Sequence, residues 1–142
     1  MSYPPGEEIP YMFEDERLRD EALEAASAFS RPEGNKRLAL IGDAVLRLIL
    51  YMHGYVRGWS TEQMSDLQSK IVGTNVNLSL VGFRRGLDGR IRPNPAQNYV
   101  QEKLMATTVE AIIGAVYIDS GENIVVTRQF IVNLGLLPDL PE

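Results

Sequence analysis

Two carboxylates stand inside runs of apolar residues, and these are the residues of the chain best placed to do chemistry. Asp43 interrupts the apolar run 38–50, and Glu110 interrupts the run 107–117. A charge buried in a helix is costly unless a partner or a metal ion compensates it. Carboxylate oxygens are the ligands that hard cations such as Mg²⁺ prefer. We therefore expect a functional site at Asp43 and Glu110 if the fold brings them together.

The elements that must position these acids are predicted to be helices, because no stretch alternates convincingly with a period of two. Asn35 is a good N-cap for the helix that carries Asp43, and 60–63 offers a capping box for the next helix. The helix after Asn35 is apolar almost all round, which is typical of a core or an interface. The predicted fold class is all-α. Its helices cover about 12–29, 35–54, 60–72, 75–83, 96–118 and 122–134, with a long loop over 84–98.

The bulk properties predict one ordinary globular domain. The chain has 142 residues, of which 44% are apolar and 23% charged, enough for a sizeable core. We expect a flexible arm over 1–10, the folded domain over 11–137 and a tail over 138–142. No apolar window approaches the roughly 20 uncharged residues of a membrane span, so no membrane partner is expected. Cysteine is absent, which is compatible with an intracellular location in cytoplasm, nucleus or mitochondrion.

Charge gives a second, weaker sign of function. The net charge of −5 argues against a free-standing, tight nucleic-acid binder, because such domains are usually basic. One loop segment is nevertheless basic and could contact RNA phosphates through guanidinium groups; a loop charged only for solubility is an equal alternative. Its candidate RNA-binding residues are Arg84, Arg85, Arg90 and Arg92. The single histidine, His53, excludes a multi-histidine metal site and is expected to be solvated or to cap a helix.

The segments 37–46 and 110–121 together resemble the two signature blocks of the ribonuclease III endonuclease domain. They read Arg-Leu-Ala-Leu-Ile-Gly-Asp-Ala-Val-Leu and Glu-Ala-Ile-Ile-Gly-Ala-Val-Tyr-Ile-Asp-Ser-Gly. The resemblance covers about 12–137 and implies a homodimeric helical domain that cleaves double-stranded RNA. It implies four carboxylates, two from each block, that hold Mg²⁺ or Mn²⁺. Asp43 and Glu110 would be two of them, as catalytic residues and metal ligands.

The resemblance also implies where this chain departs from an active enzyme. In the usual signature Glu-Arg-Leu-Glu-Phe-Leu-Gly-Asp, Lys36 replaces the first Glu and Ala39 replaces the second, which is a metal ligand. Thr107 replaces the acid of the second block. Leu40 stands where the family usually carries a Phe that enters the partner subunit, so Leu40 and Ala44 are the expected dimer contacts.

These departures predict an altered electrostatic site. Helical spacing places Lys36 and Arg47 on the face of Asp43, and Lys103 on the face of Glu110. We expect one or more of these cations to take over part of the metal's electrostatic role. Metal binding at Asp43 and Glu110 is then expected to be weak or absent. Mg²⁺ or Mn²⁺ is the expected cofactor if the protein is active, and an inactive protein would need none.

Three functions stay open at this point. The first is a homodimer that binds or organises double-stranded or structured RNA, with impaired or lost hydrolysis. The second is an active endonuclease with a reduced metal site, completed by water and phosphate oxygens. The third is a structural docking module in a larger ribonucleoprotein such as a mitochondrial ribosome. Members of the family that the chain resembles typically carry a double-stranded-RNA-binding domain after the nuclease domain. No such module is recognised in this sequence, so we expect weak affinity for free RNA.

Overall fold

The computed structural model describes residues 8–26, 31–92 and 99–136. Within these ranges the chain is all-helical, as predicted, and its only bridge of β type joins Glu24 and Arg92. A short 3₁₀ turn, Leu87–Gly89, lies between the fourth and fifth helices. The helices are α1 (Glu16–Ala22), α2 (Lys36–Val56), α3 (Thr61–Val72), α4 (Asn75–Arg84), α5 (Glu102–Asp119) and α6 (Ile124–Leu134).

Helix α5 is the centre of the fold. Every residue from 111 to 116 is buried, because α2 and α4 pack along α5, and α1 and α6 also contact it. Helix α2 is its main partner, and its buried side includes Leu38, Leu46 and Leu50. The two candidate acids therefore lie on the two helices with the most extensive mutual packing.

Helix α2 corrects the expectation about membrane spans. By length and composition alone it could cross a membrane, and 44% of its most apolar window is buried inside the domain. Core helices of folded domains meet the same criterion, because a helix between other helices is apolar over much of its circumference. The packing of α2 against α5 accounts for its composition.

Helix α1 is shorter than the predicted helix over 12–29. Asp15 caps its start by accepting a hydrogen bond from the amide of Arg17 at 3.0 Å. After Ala22 the backbone leaves the helix, because the Arg92 amide donates to the Leu23 carbonyl at 2.7 Å and the Ala25 amide donates to the Arg92 carbonyl at 2.9 Å. This pairing with a distant loop overrides local helix propensity. Residues 27–29 of the predicted helix lie outside the described residues.

Two predicted helix caps have different outcomes. The capping box of α3 is confirmed, with Ser60 Oγ accepting from the Gln63 amide at 3.1 Å and Gln63 Oε1 accepting from the Ser60 amide at 2.8 Å. Asn35 occupies the N-cap position of α2 but makes no side-chain cap bond. Its buried Nδ2 instead donates to the Ala22 carbonyl at 2.9 Å and to Thr108 Oγ1 at 3.0 Å. Asn35 thus links α1, α2 and α5.

Helices α5 and α6 begin later than predicted. Helix α5 starts at Glu102 rather than near 96; residues 99–101 are described and non-helical, and 93–98 lie outside the described residues. Helix α6 starts at Ile124, after the Asn123 side chain accepts from the Val126 amide at 3.0 Å. Glu122 cannot begin the helix because its φ of 60° lies in the left-handed region.

The segment before α1 is bound to the end of α5. Asp119 accepts hydrogen bonds from the Tyr11 hydroxyl at 2.8 Å and from the amides of Glu14 and Asp15 at 3.0 and 2.9 Å. Burial alone would raise the pKa of Asp119, but the hydrogen bonds from these three donors lower the pKa below its usual value. Burial of Tyr11, together with its hydrogen bond to Asp119, raises the pKa of Tyr11 to about 12. Asp119 thus joins the segment before α1 to the end of α5. Ile9 is buried as well, so the folded part includes residues 8–10 of the expected arm.

Candidate functional site

The backbones of α2 and α5 meet at two glycines. A Cβ atom on Gly42 would lie 1.7 Å from the carbonyl oxygen of Glu110, and one on Gly114 would lie 2.2 Å from that of Leu38. Only glycine permits this approach, because any side chain would overlap the opposite backbone. Asp43 follows Gly42 directly, so the crossing brings Asp43 to Glu110.

The two acids form a hydrogen-bonded pair, as predicted. The Glu110 side chain bonds that of Asp43, and its pKa is raised to about 8. Burial is the largest cause, followed by the hydrogen bond and the charge of Asp43, while the charge of Arg47 lowers the pKa in part. A pKa of about 8 favours protonated Glu110 at neutral pH, and a protonated carboxyl can donate a hydrogen bond to its neighbour.

Arg47 supplies the cation at this pair. Its Nε atom donates to Asp43 Oδ2 at 3.0 Å, and the side chains are 40% and 32% exposed, respectively. The hydrogen bond to Asp43 is the largest cause of a raised Arg47 pKa, and Tyr51 also bonds the guanidinium. Asp43, Arg47 and Tyr51 are spaced by four residues and share one face of α2. Sequence reasoning missed Tyr51, although this spacing was a usable signal.

The other positions of the expected cluster contribute no charge to the pair. Ala39 is buried and Thr107 partly buried, and neither has an ionisable group. Lys36 and Lys103 are exposed, and within the described ranges neither has a carboxylate oxygen within 4.0 Å. The expectation that these lysines flank the acids is therefore corrected in favour of Arg47, whose position one turn after Asp43 lets its side chain reach the carboxylate.

The residues present do not fit a resident Mg²⁺ ion. Magnesium in proteins is bound through carboxylates and retained water, and the family generally uses this ion. Here one carboxylate is engaged by Arg47 and the other favours its protonated form. In the part of the chain that the structure describes, no three or more His, Cys, Asp or Glu side chains are grouped to hold a metal.

Within the basic loop, Arg85 has a structural role. This side chain is buried, and its guanidinium donates to the carbonyls of Glu8 at 3.0 Å, Asn133 at 3.3 Å and Leu134 at 3.5 Å. These bonds join the loop to the N-terminal segment and to the end of α6. The expectation that Arg85 contacts RNA is wrong, because the group is already enclosed by protein carbonyls.

The remaining loop arginines differ in their surroundings. Arg90 Nη1 pairs with Glu8 Oε2 at 3.1 Å, and its side chain is about one-third exposed (34%). Arg84, the last residue of α4, and Arg92, in the bridge to Glu24, are both exposed. Arg84 and Arg92 are therefore the loop arginines best placed for phosphate.

His53 is buried rather than solvated, which corrects the expectation. It is 2% exposed, and its ring meets Trp59 edge-to-face at a centroid distance of 5.3 Å. Gly54 packs against Trp59 and Met64, so the chain after α2 folds back over this turn. The partly buried Trp59 thus anchors the turn after α2 against His53.

Helix α2 also carries an exposed apolar stripe, which we define as Leu40, Ala44, Leu48 and Met52. Leu40 is 75% exposed, Leu48 49% and Met52 48%, and Ala44 is exposed as well. The spacing of four residues aligns them along one side of the helix. The stripe lies next to Asp43 and Arg47 along α2, so the candidate site borders an exposed apolar surface.

Within the described residues, the chain is an all-helical domain in which α2 and α5 pack closely and each places one acid at their crossing. The sequence model of the family described as "Ribonuclease III domain" matches residues 36–121. The chain belongs to the ribonuclease III domain family.

Individual relatives agree with this assignment. The chain is 33% identical to Ribonuclease 3 of Shewanella sediminis, over 80% of this chain and 52% of that protein. It is 32% identical to Ribonuclease 3 of Vibrio vulnificus, over 83% of this chain and 54% of that protein. The chain therefore spans about half the length of these curated relatives.

A solved structure supports the fold. The nuclease domain of ribonuclease III from Campylobacter jejuni superposes with a TM-score of 0.81 at 23% identity, covering 94% of each chain. That structure is described in terms of a flexible region involved in dimer formation. A second structure of the same domain gives a TM-score of 0.78.

Proposed function

We propose that this chain is a ribonuclease III-type domain that binds double-stranded or structured RNA as a homodimer, with metal-dependent hydrolysis impaired or lost. The observation that carries the proposal is the ion pair between Arg47 and Asp43 at 3.0 Å, in a site with carboxylates from only Asp43 and Glu110. A metal that activates water and stabilises a leaving oxygen needs anionic ligands to hold it. Here a guanidinium already engages one of the two.

RNA binding in this proposal is electrostatic and weak. Arg84 and Arg92 are exposed on the loop, whereas the net charge of −5 opposes association with a polyanion. Contacts to phosphates position a protein on a duplex but carry no base information. The expected binding is therefore independent of sequence and sensitive to salt.

The proposal is tested by incubating the protein with labelled duplex RNA in millimolar Mg²⁺ or Mn²⁺ and measuring cleavage and binding separately. We expect no cleavage above that of Asp43→Asn, and micromolar or weaker binding at near-physiological salt. The double variant Arg84→Gln/Arg92→Gln should lower the salt slope by about 1 for each phosphate contact removed. Arg128→Gln, at an exposed arginine of α6, is the matched control.

Three outcomes would contradict this function or a part of it. Cleavage by the wild type that disappears in Asp43→Asn would establish the active endonuclease with a reduced metal site. Equal binding and an equal salt slope in wild type and Arg84→Gln/Arg92→Gln would exclude these arginines as the RNA contacts. Co-purification of a stable partner without RNA binding would favour the docking module in a ribonucleoprotein.

The dimer rests on the α2 stripe. A row of exposed apolar residues on a small domain marks a surface where another molecule binds. Leu40 is the most exposed residue of the α2 stripe, at 75%. A second copy offers the same row, so a two-fold interface would be self-complementary.

Leu40→Glu is expected to convert the dimer into a monomer, because the new carboxylates would be buried in an apolar interface. The molar mass measured by light scattering or sedimentation tests this. Val125→Glu is the matched control, since Val125 on α6 is 73% exposed and lies off the stripe, and it should leave the dimer intact. An unchanged mass in Leu40→Glu would place the interface elsewhere.

A further inference from the structure

The acid pair has a cation of its own, and the cation comes from the same helix as one of the acids. We propose that the Arg47 guanidinium is a built-in counter-ion that excludes a divalent cation from the Asp43–Glu110 pair. The inference deepens the proposed function, on which it rests for the location of the site. It attributes the loss of metal binding to the presence of Arg47 as well as to the acids that Ala39 and Thr107 replace.

The first support is the position of the guanidinium. Arg47 Nε lies 3.0 Å from Asp43 Oδ2, which is direct contact with the oxygen that a metal would need. A Mg²⁺ ion binds carboxylate oxygen at about 2.1 Å and requires a near-octahedral shell of oxygen ligands. A guanidinium at this distance occupies part of that shell and adds a repulsive positive charge.

The second support is that the guanidinium is held from two sides. Tyr51 bonds Arg47 one helical turn beyond the bond to Asp43. An arginine with a single partner moves readily between rotamers, whereas a second contact restricts it. Tyr51 thus helps to hold the Arg47 guanidinium beside Asp43.

The third support is that the pair contributes little to folding. Arg47 and Asp43 are 40% and 32% exposed, and partly exposed i,i+4 ion pairs contribute little to stability. Removing the guanidinium should therefore leave the fold intact and free the carboxylates for a cation. The effect of Arg47 should appear in metal binding and not in stability.

Titration with Mn²⁺ alone, followed by calorimetry and by the electron paramagnetic resonance signal of free Mn²⁺, tests the proposal. We expect Arg47→Gln to bind Mn²⁺ about tenfold tighter than the wild type or more, because a unit of repulsive charge is removed at contact distance. Arg37→Gln, at an exposed arginine in the first turn of α2, should behave as the wild type does. Arg47→Gln/Asp43→Asn should lose the gain.

Equal Mn²⁺ affinity in Arg47→Gln and wild type would overturn the proposal, as would a gain that survives Asp43→Asn. If Arg47→Gln fails to fold, Arg47→Met replaces it, because methionine keeps an unbranched stem of similar packing without the charge. Melting curves of each variant establish that it is folded before titration. No RNA is present, so a failure here is distinguishable from a failure of the proposed RNA binding.

Discussion

Restoring the two missing carboxylates, as Ala39→Glu/Thr107→Asp, is expected to produce Mg²⁺-dependent cleavage of double-stranded RNA. The rate should exceed that of the wild type by about 100-fold or more, since changes to groups that merely support metal ligands already cost 10–100-fold. The reason is electrostatic: four carboxylates at the α2–α5 crossing repel one another and give a divalent cation a net attraction that exceeds the effect of Arg47. Cleavage of a labelled duplex at several Mg²⁺ concentrations measures the effect.

The matched control is Ala39→Gln/Thr107→Asn, which introduces side chains of nearly the same volume without charge. This control matters because Ala39 is only 7% exposed, and a larger residue there disturbs packing whatever its charge. The acidic variant should melt at a higher temperature with Mg²⁺ than without, because the ion binds the folded state, whereas the control should not respond. An acidic variant that is folded but gains neither cleavage nor Mg²⁺-dependent stability would refute the ligand-loss explanation.

The sequence predicts that Asp43 and Glu110 meet, whereas it does not predict which basic side chain pairs with them. Asp43 and Glu110 each interrupt an apolar helical run, and the family resemblance places those runs at one crossing. Choosing between Lys36, Lys103 and Arg47 depends on side-chain conformations at the surface of two helices. The structure selects Arg47, in agreement with the general rule that i,i+4 pairs on one helix meet.

The wrong predictions from the sequence share one physical cause, which is contact between distant parts of the chain. Arg85 is buried because Glu8 and the end of α6 supply carbonyls around it, and nothing local to the loop reveals them. His53 is buried because the turn at Trp59 folds back over α2. Helix α1 ends early because Leu23 and Ala25, which follow it, pair with Arg92. Periodicity and capping describe local preference, and tertiary pairing overrides them where the two compete.

Gly42→Ala is expected to have the largest effect on stability of any single methyl group added to this protein. The new Cβ would lie 1.7 Å from the Glu110 carbonyl oxygen, an overlap that only separation of α2 and α5 can relieve. Because these helices form the main packing contact of the domain, we expect a loss of about 4 kcal/mol or more, close to the whole stability of a small domain. Chemical denaturation of the variant measures this loss of stability. A variant too unstable to fold would be absent from the soluble fraction.

Gly89→Ala separates this effect from a general cost of replacing glycine, because its Cβ would have no atom within 4 Å, and it should change stability by less than about 1 kcal/mol. Gly114→Ala should destabilise as Gly42→Ala does, since its Cβ would lie 2.2 Å from the Leu38 carbonyl oxygen. If both act by separating the same helices, their combined cost is less than the sum of the two.

Alanine is the better helix former by about 1 kcal/mol, so local propensity predicts that each substitution within a helix stabilises. A gain in the free energy of unfolding would therefore indicate that helix propensity dominates, and a loss would indicate that the close crossing of α2 and α5 dominates. That crossing holds Asp43 against Glu110.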